Sequence, residues 1–268
     1  MSELTTYDFT APTEMTQVVQ ERILCFGAAG SGKTTAWLDT ALWLQENGDP
    51  ATFWVIDTDR SVGRMMQGEK YRGLRNVQAA ECPDWTSLDK LSRLAMERAK
   101  AGDWIVIDLI DRAWEYVQNH FVQAVHGHEM DEHLLAMREA MSRDRKNLKP
   151  FEGMTDWPVI NSLYKSWSAR TVLNTQSVHV FACAAMKTID EKLTAAELKE
   201  VFGHLGVYPA GQKHLAHQFQ TVLYMHQMGN EKSADVTWAL TTAKDRERKR
   251  LWNAKLASFG NQYMAKIA

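Results

Sequence analysis

Eight consecutive residues, Gly27-Ala28-Ala29-Gly30-Ser31-Gly32-Lys33-Thr34, follow the pattern G-x-x-x-x-G-K-[ST], a loop suited to polyphosphates. Its glycines allow a tight turn, so that several backbone N–H groups converge on phosphate oxygens. Lys33 brings a point charge to the β- and γ-phosphates, and the Thr34 hydroxyl can complete the shell of a Mg²⁺ ion. The helix that continues through Thr35 adds its positive N-terminal end. The expected ligand is therefore ATP with Mg²⁺, held by residues 27–35. A small-residue turn without a nucleotide would explain the glycines, but neither the lysine nor the flanking apolar segments.

Hydrolysis of a nucleotide also needs an acid that holds the metal and a group that orients water. Asp108 closes the apolar run Trp104-Ile105-Val106-Ile107, where its carboxylate would hold Mg²⁺ together with Thr34. A helix-capping aspartate is the alternative, because a strand followed by a turn also favours Asp. A second apolar run, Phe53-Trp54-Val55-Ile56, ends in Asp57 and is followed by Thr58 and Asp59. These two acids are either part of the chemistry or turn formers. Asp111 lies three residues after Asp108, past the strand end.

Such groups need elements that hold them in place. Ile23-Leu24-Cys25-Phe26 is long enough for a buried strand before the loop, and Trp37, Leu38, Ala41, Leu42 and Trp43 recur at helical spacing after it. Asn47-Gly48-Asp49-Pro50 ends that helix. Further strands are expected at 52–57, 77–79, 104–108 and 178–183, with helices at 87–100, along most of 112–149, and at 159–174. Residues 187–215 read as a long insertion carrying a capping box, Thr194-Ala195-Ala196-Glu197. Strands at 221–225 and 236–240 look hairpin-like around Gly229-Asn230. Alternating strands and helices followed by adjacent strands predict an α/β fold: a mostly parallel central sheet flanked by helices, with antiparallel strands at the C-terminal edge. Gly27, Asp57, Asp59 and Asp108 would then gather at the carboxyl rim of the sheet, where such folds bind ligands. Residues 1–20 read as an arm, 21–250 as the ATPase domain and 251–268 as a tail.

Val55-Ile56-Asp57-Thr58-Asp59 resembles a motif of the RecA/RadA recombinase superfamily, in which the strand after the phosphate-loop helix ends apolar-apolar-Asp-x-Glu. The resemblance places Asp59 where that family has the glutamate that activates the attacking water. Thr241-Thr242-Ala243-Lys244-Asp245-Arg246 resembles the family's lysine-x-lysine segment, and Lys244 and Arg246 match the two cations that reach a neighbouring subunit's nucleotide. The fifth strand and the insertion after it stand where recombinases have their second DNA-binding loop. The family's glutamine at the end of that strand is absent, and the chain reads Ala184-Ala185-Met186-Lys187. A RecA-like P-loop core of this length looks most like the short phage recombination ATPases, the Sak-type single-strand annealing proteins and their AAA-domain relatives. The resemblance implies catalytic roles for Lys33, Asp59, Asp108, Lys244 and Arg246. It also implies a homo-oligomer, ring or filament, with nucleotide at the subunit interfaces and single-stranded DNA as partner.

Composition narrows the classes. The chain of 268 residues has a formal net charge of −2, so contact with nucleic acid must use local patches. Two candidates are Arg143, Arg145, Lys146 and Lys149, and the run from Lys244 to Arg250; an ordinary solvated face is the other reading of each. No apolar run reaches the length of a membrane span. The start of the chain lacks a signal-peptide pattern, and three cysteines without metal spacing suit a reducing cytoplasm. His126, His128 and His133 lack the H-E-x-x-H spacing of a zinc helix. Trp157 and Trp167 are either core or platforms for bases. Phe9-Thr10-Ala11 is one residue short of the recombinase Phe-x-x-Ala interface motif. The modest charge favours a second class, an AAA-like ATPase that loads or remodels a protein partner. A small-molecule kinase would show an arginine-bearing lid, which the chain lacks.

Overall fold

In a computed structural model, which describes residues 20–144, 149–175, 177–228, 237–245, 252 and 254–255, the apolar runs become strands of one sheet. β1 (Arg22–Gly27), β2 (Phe53–Asp57), β3 (Val77–Glu81), β4 (Trp104–Asp108), β5 (His179–Thr188) and β7 (Thr221–Met228) are parallel to one another. β8 (Thr237–Lys244) and β9 (Ala254–Lys255) continue the sheet antiparallel, in the order β3-β2-β4-β5-β1-β7-β8-β9. β6 (Val207–Pro209) pairs antiparallel with the far end of β5. The α/β class with antiparallel C-terminal strands is as the sequence predicts.

The inner strands read as unbroken apolar runs because both faces are covered. All five residues of β4 are buried. Alternate side chains divide between two cores. Leu24, Phe26, Ile105, Ile107, Val180 and Ala182 pack with residues of α3 (Trp85–Arg98), α4 (Arg112–His126) and α6 (Asp156–Ser168). Ile23, Cys25, Trp104, Val106, Phe181 and Cys183 pack on the other side with Trp37, Leu38 and Leu44 of α1 (Lys33–Glu46).

Several boundaries differ from expectation for local reasons. α3 starts at Trp85 because the Asp84 side chain accepts the Ser87 N–H at 2.8 Å and caps the helix. The long helical stretch after residue 112 breaks at Gly127, whose φ of 71° ends α4 before α5 (Met130–Asp144) begins. A short α2 (Val62–Met66) follows the acids after β2. The insertion holds α7 (Ala196–Phe202), but its capping box does not form. The Thr194 hydroxyl instead accepts the Asp190 N–H at 2.8 Å, and Glu197 pairs with Lys213 at 2.9 Å. Trp167 is core, with its indole N–H on the Ser92 hydroxyl, so it is not a platform for bases. Among the described residues no helix is long and apolar enough to cross a membrane, and no three His, Cys, Asp or Glu side chains gather as a metal site. Phe9, Arg145, Lys146, Gly229, Asn230 and Arg246 lie outside the described residues, as do most of the arm and tail.

Candidate functional site

The phosphate loop leaves β1 between β5 and β7, in the middle of the carboxyl rim. Gly30 and Gly32 have φ of 74° and 92°, a conformation L side chains rarely adopt. Gly27 is needed for a different reason. A Cβ there would lie 2.2 Å from the Met225 carbonyl oxygen, which belongs to the neighbouring strand's backbone. A Gly27→Ala protein is expected to lose about 3 kcal/mol or more by forcing β1 from β7. A thermal melt should then fall by roughly 10 °C.

Gly32 stands at the N-terminus of α1 without a capping side chain, so the first helical N–H groups are free of side-chain partners. Lys33 is buried, and its ammonium donates to the carbonyls of Gly27 (3.0 Å) and Ala28 (2.8 Å), which folds the side chain back over its own loop. Ala28, Ala29 and Gly30 are exposed at the loop's crest, and Ser31 is buried below it. Beside Thr35, on the same helix, Asp39 accepts the Tyr71 hydroxyl at 2.6 Å.

Thr34 and Asp108, 74 residues apart, meet directly: the hydroxyl donates to Asp108 Oδ2 at 2.8 Å. The Trp37 indole N–H donates to the same oxygen at 3.0 Å. Asp108 is fully buried, and its Oδ1 has no hydrogen-bond partner within the protein. Burial pushes its carboxyl above the usual range, and the Trp37 and Thr34 donors oppose that. A buried carboxylate oxygen without a donor, beside a hydroxyl, is a hard-oxygen pair that fits Mg²⁺. When bound, the ion would neutralise phosphate charge.

β2 delivers its two acids differently. Asp57 is buried, and its carboxylate accepts the N–H groups of Ser61 (3.3 Å) and Val62 (3.0 Å), opening α2. Asp59 is exposed and reaches back to the Ser61 N–H at 3.2 Å. It is near enough to Asp108 to act on that carboxyl's charge. Asp57 thus serves the turn, while Asp59 is exposed beside it at the rim and acts on the Asp57 carboxyl. Burial pushes Asp57 up to about 6. In the unfolded chain it ionises near 4, so the folded state holds the extra proton between these values, and Asp57 subtracts stability as pH rises through that window. Asp57→Asn removes this slope. Melts of the two proteins from pH 4.5 to 7 should show the variant gaining on the wild type as pH rises.

Two contacts to the loop come from the C-terminal strands. The Trp238 indole N–H donates to the Gly30 carbonyl at 2.9 Å, and Gln227 reaches the same oxygen at 3.3 Å. The Trp238 ring and Met225 also crowd Gly32. Sequence reading passed over these residues, because only the β7–β8 register, which sets Gln227 opposite Trp238, brings them to the loop. Lys244 is elsewhere. β8 runs back toward the amino rim, where Lys244 pairs with Val222 and donates to the carbonyls of Ala216 (3.1 Å) and Phe219 (2.7 Å). It does not reach the loop of its own subunit.

Beside the rim, α6 and the insertion enclose a cleft of about 1370 Å³. Lys165, Lys187 and Lys213 line it together with Trp157 and Tyr208. The three lysines are exposed and the two aromatic residues half-buried.

No protein-family model matches the chain, and no curated protein sequence is similar to it. Its structure is similar to the crystal structure of the RadB recombinase, with a TM-score of 0.51 at 13% identity, over 88% of this chain and 86% of that one. The chain therefore has a RecA-like fold, with a phosphate loop, a buried strand-end aspartate and an exposed acid at one rim.

Proposed function

We propose that this protein binds and hydrolyses ATP with Mg²⁺ and acts on single-stranded DNA in phage-type recombination, annealing or replication. The observation that carries the reading is the Thr34–Asp108 contact beneath a complete phosphate loop. It supports the reading because it brings a buried carboxylate against the hydroxyl of the residue that follows Lys33. In this reading Lys33 moves from its loop carbonyls to the phosphates, Asp108 and Thr34 hold the Mg²⁺, and Asp59 orients the attacking water. The likeness to a recombinase supports DNA as the partner, and so does the cleft. Lys165 and Lys187, with Lys213 once it leaves Glu197, can meet backbone phosphates while Trp157 and Tyr208 offer faces to bases.

The expected assembly is a homo-oligomer, ring or filament. There Lys244 and Arg246 act on a neighbour's nucleotide. Mixing Lys33→Ala subunits with Lys244→Ala/Arg246→Ala subunits tests that role by rescue of turnover.

An oligo-dT titration with a fluorescent end label tests the partner. Affinity should fall steeply with salt, and each of Lys165→Ala, Lys187→Ala and Lys213→Ala should lower the log–log salt slope by about 0.7. ATP turnover should rise with the oligonucleotide. ATP turnover without any binding at low salt would favour the protein-loading reading, to which the net charge of −2 is suited.

A further inference from the structure

Asp111 occupies the position before α4 where an aspartate ordinarily caps its own helix, yet its side chain makes no such cap. It turns to β5 instead and accepts the Ala185 N–H at 3.1 Å. Ala185 is the in-register neighbour of Gly27, where the phosphate loop begins. Its carbonyl accepts the Ala210 N–H at 2.8 Å, which ties it to the segment returning from the insertion. The next residue, Gly211, has a φ of 104° and presses on Asp111 so closely that a Cβ would lie 3.2 Å from the Asp111 Cα. Gly211, Gln212, Lys213 and His214 form one wall of the cleft. Asp111 also feels the charge of Lys33, whose ammonium sits on the carbonyl of Gly27 beside Ala185, and it acts in turn on the hydroxyl of Tyr164. That hydroxyl is buried and has no hydrogen-bond partner within the protein.

Asp111 therefore meets the strand beside the loop through its carboxylate, the glycine of the cleft wall through its Cα and Cβ, and the field of the phosphate lysine. We propose that Asp111 is the positioning residue that transmits occupancy of the phosphate loop to the cleft wall at 207–214. The proposal rests on the ATP-binding reading. When Lys33 leaves its loop carbonyls for a phosphate, the charge opposite Asp111 moves. The Asp111 carboxylate fixes Ala185, and the Ala185 carbonyl holds Ala210 beside Gly211, so a shift of the carboxylate reaches the wall through that strand. Packed, hydrogen-bonded contacts of this kind are what carries coupling between sites.

Hydrogen exchange of the full chain, with and without a non-hydrolysable ATP analogue and Mg²⁺, tests the link. In the wild type, exchange across 207–214 should slow by ~5-fold or more on binding, the lower end of ordinary coupling. Asp111→Ala should bind the analogue as before while the segment's response disappears. Asp111→Asn keeps an acceptor for the Ala185 N–H and should keep the response. Gly211→Ala, which pushes a methyl onto Asp111 from the cleft side, should lose it, and this variant carries the test if Asp111→Ala does not fold. A merely structural role would lower the melting temperature and leave the bound-to-free ratio of exchange unchanged. Analogue binding with no change at 207–214 in the wild type overturns the proposal alone, as does an Asp111→Ala protein that responds like the wild type. No analogue binding by the wild type overturns the ATP reading beneath it.

Discussion

A Lys33→Ala protein is expected to bind ATP at least ~100-fold more weakly than the wild type, because a charge-assisted contact to phosphate contributes several kcal/mol where water is excluded. The fold should survive. The ammonium's partners among the described residues are the carbonyl of Gly27, the buried last residue of β1, and that of Ala28 at the exposed crest; only the second turns freely to water, so the loss should stay at about 1–3 kcal/mol. Equilibrium binding of a fluorescent ATP analogue checks the first part and a thermal melt the second. Unchanged affinity in a folded variant would remove the phosphate loop from the chemistry.

The second large effect separates the two acids. Asp59→Asn should keep the Mg²⁺·nucleotide bound and slow hydrolysis by ~10² or more, as expected for loss of a group that orients water or accepts its proton. Asp59 is exposed and accepts the Ser61 N–H, which an asparagine oxygen can also accept. Stability should therefore hardly change. Asp108→Asn removes the charge from a fully buried site and leaves Thr34 and Trp37 donating to a neutral amide. It should weaken Mg²⁺ dependence itself, so that turnover recovers in part at high Mg²⁺ or with Mn²⁺. A Mg²⁺ titration of both variants distinguishes the roles. Normal turnover in the Asp59 variant would leave that residue a turn former, like Asp57.

What the sequence made legible follows physical range. The loop, β1 and α1 are written within some 25 residues, where apolar period and glycine placement act locally. Asp108 was legible because a fully buried strand shows itself as an apolar run with a polar end. The capping box at Thr194 failed because Asp190, four residues earlier, offered its own N–H to the hydroxyl, and pattern reading cannot rank two local donors. Asp111 read as lying past the rim, since its partner is on β5, 74 residues along the chain. Lys244 matched a motif by spacing, but the direction of β8 sets it at the opposite rim. Trp238 carried no local signal of its role, which comes wholly from cross-strand register.

The contacts from Trp238 and Gln227 to Gly30 have a consequence for the order of events during synthesis. The loop's carbonyl and the indole that fixes it are 208 residues apart. At ordinary elongation rates, ribosomes need roughly 10 to 40 s to make that much chain. A nascent chain ending before β7 carries every residue of the phosphate motif, yet it lacks the strand beside β1 and the ring beside Gly32. Nucleotide affinity should therefore arrive late, with the last strands. Arrested chains ending near residue 200 should not be retained on immobilised ATP, whereas chains extended past β9 and clear of the exit tunnel should be.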